Sequence, residues 1–167
     1  MAVCAVSPTL DLATCVKALE RRENRLYQWN FVRNLRARMM RKSRAWPGVY
    51  DTRVLEGVWT VRRFDEVLTA PHHGFRDADD YYYRASALRV VDRIRVPTLI
   101  ISAADDPFVP PEQFHDPAVT ANPWITVVIT PHGGHCGFFA EAPDGYDGYW
   151  AEQTVVGFAA AWTEARM

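Results

Sequence analysis

Val96-Pro97-Thr98-Leu99-Ile100-Ile101-Ser102-Ala103-Ala104-Asp105-Asp106-Pro107-Phe108-Val109-Pro110 and Trp124-Ile125-Thr126-Val127-Val128-Ile129-Thr130-Pro131-His132-Gly133-Gly134-His135-Cys136-Gly137-Phe138-Phe139 are the two stretches that decide the fold. Each is an apolar, β-branched run that ends in a polar, turn-prone tip. Such runs read as strands buried on both faces of a parallel sheet. Between Asp106 and His135 lie 28 residues, enough for a crossover back into the same sheet. Ligand chemistry in such sheets collects at the carboxyl ends of the strands, where both residues fall.

Outward from this pair, the pattern alternates. Ala2 to Val6 is a short apolar run ending at Ser7-Pro8 and reads as a strand. Thr9 or Asp11 can cap a helix reaching Glu20. A longer helix is expected from Asn24 to about Ser43, with Leu26, Trp29, Val32, Leu35 and Met39 on one face. Trp46-Pro47-Gly48 breaks it. A short helix is expected at Val61–Leu68, a loop at Pro71–Gly74, and a helix carrying Tyr81, Tyr82 and Tyr83 behind Asp77 or Asp79. Pro110-Pro111-Glu112 suits a helix start. Gln153 to Ala165 reads as a final helix with Val155, Phe158, Ala159 and Trp162 inward. The fold class expected is α/β, with about three parallel strands and flanking helices.

The chain has 167 residues, 49% apolar and 23% charged, as in an ordinary globular domain. No apolar run approaches the ~20 residues of a membrane span. Met1 to Val6 lacks the basic start of a signal peptide. Cys4, Cys15 and Cys136 fit neither a disulfide framework nor a zinc spacing. A reduced, cytoplasmic compartment with no metal and no cofactor is the expectation. The net charge is −1 but unevenly spread. Ten of 19 Lys and Arg lie between Lys17 and Arg44, and none between Val96 and Ala165, where nine acids lie.

Asp105 and Asp106 can be a turn and helix-cap pair. One carboxylate could instead accept a hydrogen bond from an imidazole, fixing its tautomer and stabilising the imidazolium. Asp106 is the better candidate, because the turn Pro107-Phe108-Val109-Pro110 holds it at the strand tip. Asp105 is expected to point to solvent or backbone. His135 sits among glycines that give its loop freedom and leave clearance for a substrate, and His132 reads as a turn residue. Asp106 and His135 are two thirds of a hydrolytic triad. The basic helix reads first as a solvated face. Trp29, Phe31, Met39 and Met40 among its arginines also suit peripheral lipid contact, whereas no nucleic-acid-binding module is recognisable.

Asp-Asp-Pro-Phe-Val-Pro followed by Gly-Gly-His-x-Gly-Phe resembles the C-terminal half of an α/β hydrolase, and more closely the YheT-like esterases. The likeness extends to Ala5-Val6-Ser7-Pro8 with Asp11-Leu12, Arg25-Leu26-Tyr27, Phe64-Asp65, Thr69-Ala70-Pro71, Gly74-Phe75 and Tyr81-Tyr82-Tyr83-Arg84-Ala85-Ser86. It implies that Asp106 is the triad acid, His135 the general base, residues of about 20–90 a cap-like helical segment, and short- to medium-chain acyl esters the substrates. The family's Gly-x-Ser-x-Gly elbow is not found. Ser7, Ser43, Ser86 and Ser102 are the only serines and none is flanked by glycines. The order nucleophile, acid, histidine places the elbow and its oxyanion donors upstream. His132-Gly133-Gly134 follows the acid and so is no oxyanion loop, and Cys136 is a poor substitute nucleophile. The expectation is a truncated portion, 1–167, of a serine carboxylesterase domain, inactive alone. It would self-associate or take an N-terminal half supplied elsewhere. The alternative is a non-catalytic remnant or interaction module of the same fold.

Overall fold

A computed structural model describes residues 1–141, 145 and 147–164. Three parallel strands form one sheet in the order β1 (Val3–Val6), β2 (Thr98–Ala103), β3 (Ile125–Thr130). Val3 pairs with Thr98 and Thr98 with Ile125. Every residue of β2 is buried, as expected of the central strand. Alternation divides its side chains between two cores. Ile100 joins Leu10, Val91, Val109, Phe114 and Val119 on one face. Leu99, Ile101 and Ala103 join Phe138 on the other.

Between β1 and β2 the chain is helical. At the end of β1, Ser7 takes a left-handed φ of 46° and turns the chain away. Asp11 caps α1 (Leu12–Leu19) by accepting from the N–H groups of Ala13 and Thr14. α2 (Arg25–Ala45) is the longest helix, with Gln28, Val32 and Met39 buried and Leu35 packed beside them. The expected face is therefore rotated, since Leu26 and Trp29 are exposed. The cause is the partner that α2 meets. Leu55, Val58 and Phe64 come up on its Val32–Met39 side and close a second core there.

α3 (Val61–Phe64) runs through one wide turn, Asp65–Thr69, into α4 (Ala70–His72). Pro71 is thus helical rather than in the expected loop. The wide turn, closed by Ala70 N–H to Asp65 C=O, spares the clash that proline makes with the preceding turn of a regular helix. α5 (Ala78–Ala85) starts at Asp77, which caps Asp80 N–H, and buries Tyr82 against Val16 of α1.

After β2, Pro111–His115 makes a 3₁₀ turn and Asp116 caps α6 (Pro117–Thr120). α7 (Trp150–Glu164) begins three residues earlier than expected. Trp150, Ala151, Val155 and Phe158 pack on the Leu99 face of the sheet, whereas Ala159 and Trp162 are exposed. Ala165, also expected in this helix, lies outside the described residues. Among the described residues no helix is long and apolar enough to cross a membrane.

Candidate active site

The turn after β2 fixes the first group. Asp106 Oδ1 accepts from the N–H of Phe108 at 2.8 Å and of Val109 at 3.0 Å. The turn is held from outside by Asn24, whose Nδ2 donates to Pro107 C=O at 2.8 Å. The Asp106 side chain is fully buried, and its second oxygen faces the loop that follows β3.

That loop delivers the imidazole. His135 Nδ1 donates to Asp106 Oδ2 at 3.0 Å, within the reach expected of an orienting acid and a base. The His135 side chain is 42% exposed, and among the described residues its Nε2 has no hydrogen-bond partner. Phe108 stacks edge-on against the ring at 5.3 Å, and Tyr27 of α2 stacks on Phe108 at 4.9 Å.

Asp105, on the outer side of the same tip, bonds the same loop. Its Oδ1 accepts from Gly134 N–H at 2.8 Å and its Oδ2 lies 3.3 Å from His132 Nδ1. The Gly134 N–H holds the Asp105 carboxyl below the ordinary carboxylate range. Two adjacent carboxylates thus grip one loop at two points. The loop needs its glycines. Gly133 has φ 153°, and a Cβ there would lie 2.6 Å from Phe138 Cδ1. Gly134 is left-handed, at 52°.

A cavity of about 240 Å³ opens beside His135. Leu12, Val16 and Leu19 of α1, Phe31 of α2 and Val109 line it, with Cys15 on the wall. Burial pushes the Cys15 thiol up. The segment leading into α1 is held by Gln113, buried, whose Oε1 accepts from Leu10 N–H at 2.7 Å and Asp11 N–H at 3.0 Å. Asn24 and Gln113 are not marked as site residues by the sequence. Both are polar residues buried by long-range partners, 83 and 103 residues away, and no local pattern marks such residues. Cys136, left-handed at φ 68°, is exposed. Among the described residues no cluster of His, Cys, Asp and Glu could hold a metal. The hydroxyls of Ser7 and Ser102 are buried and have no hydrogen-bond partner among the described residues.

The chain is 38% identical over 135 residues to YheT of Escherichia coli, an esterase by name, covering 80% of this chain and 39% of that protein. It is 42% identical over 99 residues to medium-chain fatty acid ethyl ester synthase/esterase 2 of Saccharomyces cerevisiae, covering 59% and 21%. It is 35% identical over 94 residues to phospholipase ABHD3 of Mus musculus, covering 56% and 21%. The chain thus spans about a fifth to two fifths of the length of these relatives. No protein-family profile matches it, and no solved structure does. The three-stranded parallel sheet and these relatives together place the chain in the α/β-hydrolase superfamily, among the YheT-like proteins.

Proposed function

We propose that this chain supplies the acid and the base of a serine-dependent carboxylic-ester hydrolysis. The observation that carries the reading is the 3.0 Å contact from His135 Nδ1 to a fully buried Asp106 carboxylate. It engages Nδ1 and leaves Nε2 without a hydrogen-bond partner among the described residues, on a histidine that lines the apolar cavity. The other oxygen of Asp106 is occupied by two backbone N–H groups, so the carboxylate cannot swing away.

A serine hydroxyl, supplied from outside these residues, adds to the ester carbonyl as Nε2 takes its proton. Asp106 stabilises the imidazolium. The imidazolium then protonates the leaving alkoxide as the acyl–oxygen bond breaks, and water repeats the sequence on the acyl-enzyme. Short- to medium-chain acyl esters are the proposed substrates. The reading is supported by the relatives' names, an esterase, a medium-chain fatty acid ethyl ester synthase/esterase and a phospholipase, and by a cavity wall that is mainly aliphatic and aromatic.

The test joins this chain to the nucleophile-bearing portion of YheT and follows hydrolysis of short p-nitrophenyl esters. His135→Ala should remove several orders of magnitude in rate, and Asp106→Asn about 10⁴-fold, by analogy with triad enzymes. The chain alone should show negligible turnover, since it contains no Gly-x-Ser-x-Gly. Undiminished activity in His135→Ala would end this reading and favour a non-catalytic module.

A further inference from the structure

We propose that the outer face of α2 docks on an anionic lipid surface. The helix carries seven Lys and Arg and no acid in 21 residues. Its buried side is set by Val32 and Met39. At 100° per residue, Leu26, Trp29, Arg33, Met40 and Arg44 fall together on one flank of what remains. Leu26 is 80% exposed, Trp29 50% and Met40 42%.

Trp59, 64% exposed, extends the patch from the next segment. Arg33 lies over the Trp29 ring at 4.8 Å and Arg36 over the Trp59 ring at 5.1 Å. Apolar groups and cations are therefore interleaved on one surface, the composition of a helix that lies in a bilayer interface. Cations meet the phosphates while Leu26, Met40 and the indoles enter the headgroup–acyl boundary.

The occupant is chosen by charge and by chemistry. Val96–Ala165 carries nine acids and no Lys or Arg, so an anionic surface attracts the molecule by α2 and repels its other half. A nucleic acid would satisfy the arginines but has no use for exposed Leu26 and Met40. Docking does not depend on the hydrolytic reading, and its test involves no turnover.

The experiment is flotation of the purified chain with vesicles of phosphatidylcholine alone or with 40 mol% phosphatidylglycerol; aggregated protein does not float. The chain should float with the anionic vesicles only, and 0.5 M NaCl should release most of it. Arg33→Glu/Arg44→Glu should weaken binding by about tenfold or more, and Leu26→Asp/Trp29→Asp should abolish it. All four positions are exposed, and circular dichroism checks that the variants stay folded. The proposal is overturned by equal flotation with both vesicle types, by flotation with neither, or by variants that bind like the wild type. It is also overturned if duplex DNA is bound and vesicles are not, or if light scattering shows that Leu26→Asp/Trp29→Asp dissociates a dimer sealed by this patch.

Discussion

Asp105 and Asp106 are neighbours in sequence with opposite surroundings. Asp106 is buried and spends one oxygen on its own turn and the other on His135. Asp105 is exposed and holds the backbone beside that histidine. Asp105→Ala should leave the fold intact and loosen the loop, seen as faster hydrogen exchange at Gly134 N–H. The pH dependence has a definite sign. The folded carboxyl titrates below its ordinary value, so its grip is fully present above about pH 4 and is lost as pH falls through the depressed value. The Gly134 amide resonance should move only on that acid limb, and Asp105→Asn should flatten the movement. Asp106 and His135 were legible in the sequence because a strand tip and a glycine-flanked histidine are local signals. The double grip was not, because which oxygen meets which N–H is decided by how two loops approach across the sheet edge.

At the scale of elements, α2 shows where periodicity misleads. Apolar residues at spacings of three and four occur on two overlapping stripes, and only tertiary contact selects one. Met39→Ala should cost about 2–5 kcal/mol, as for a buried large-to-small change. Leu26→Ala should stay within about 0.5 kcal/mol, as for an exposed site. Urea denaturation of both variants separates the stripes, and equal losses would restore the face read from the sequence. Strands were read more closely. The strand Ile125–Thr130 lies inside the apolar run quoted for it, between Pro123 and Pro131, which punctuate it. The wide turn before Pro71 is not legible in the sequence, because proline normally marks a break and its accommodation depends on the path of the preceding turn.

For the molecule as a whole, β1 is an edge of the sheet. Val3 and Ser7 donate inward, to Pro97 and Ile101 C=O. By parallel-sheet alternation the N–H groups of Cys4 and Val6 then point outward. An apolar edge of this kind is a template for another strand. The purified 167-residue chain is accordingly expected to self-associate, and size-exclusion chromatography with light scattering checks it. A stable 19.0 kDa monomer with a cooperative melt would show that the edge is tolerated. The layered α/β architecture was legible because strand–helix alternation spans the whole chain. The second core around Val32, Leu55 and Phe64 was not, since residues 46–60 carry no periodic signal.

The thiol in the cavity wall turns the site into a clock. Cys136 is exposed and should alkylate within the first moments of contact with a maleimide. Cys15 is half-buried and its thiol is pushed up by burial, so it holds little thiolate at neutral pH and should react far more slowly. Anything that fills the space beside His135 must cover that sulfur. The rate of the slow phase, followed by mass spectrometry of the Cys15 peptide, would therefore fall in proportion to occupancy. It would time the arrival of an acyl chain without any bond being cut.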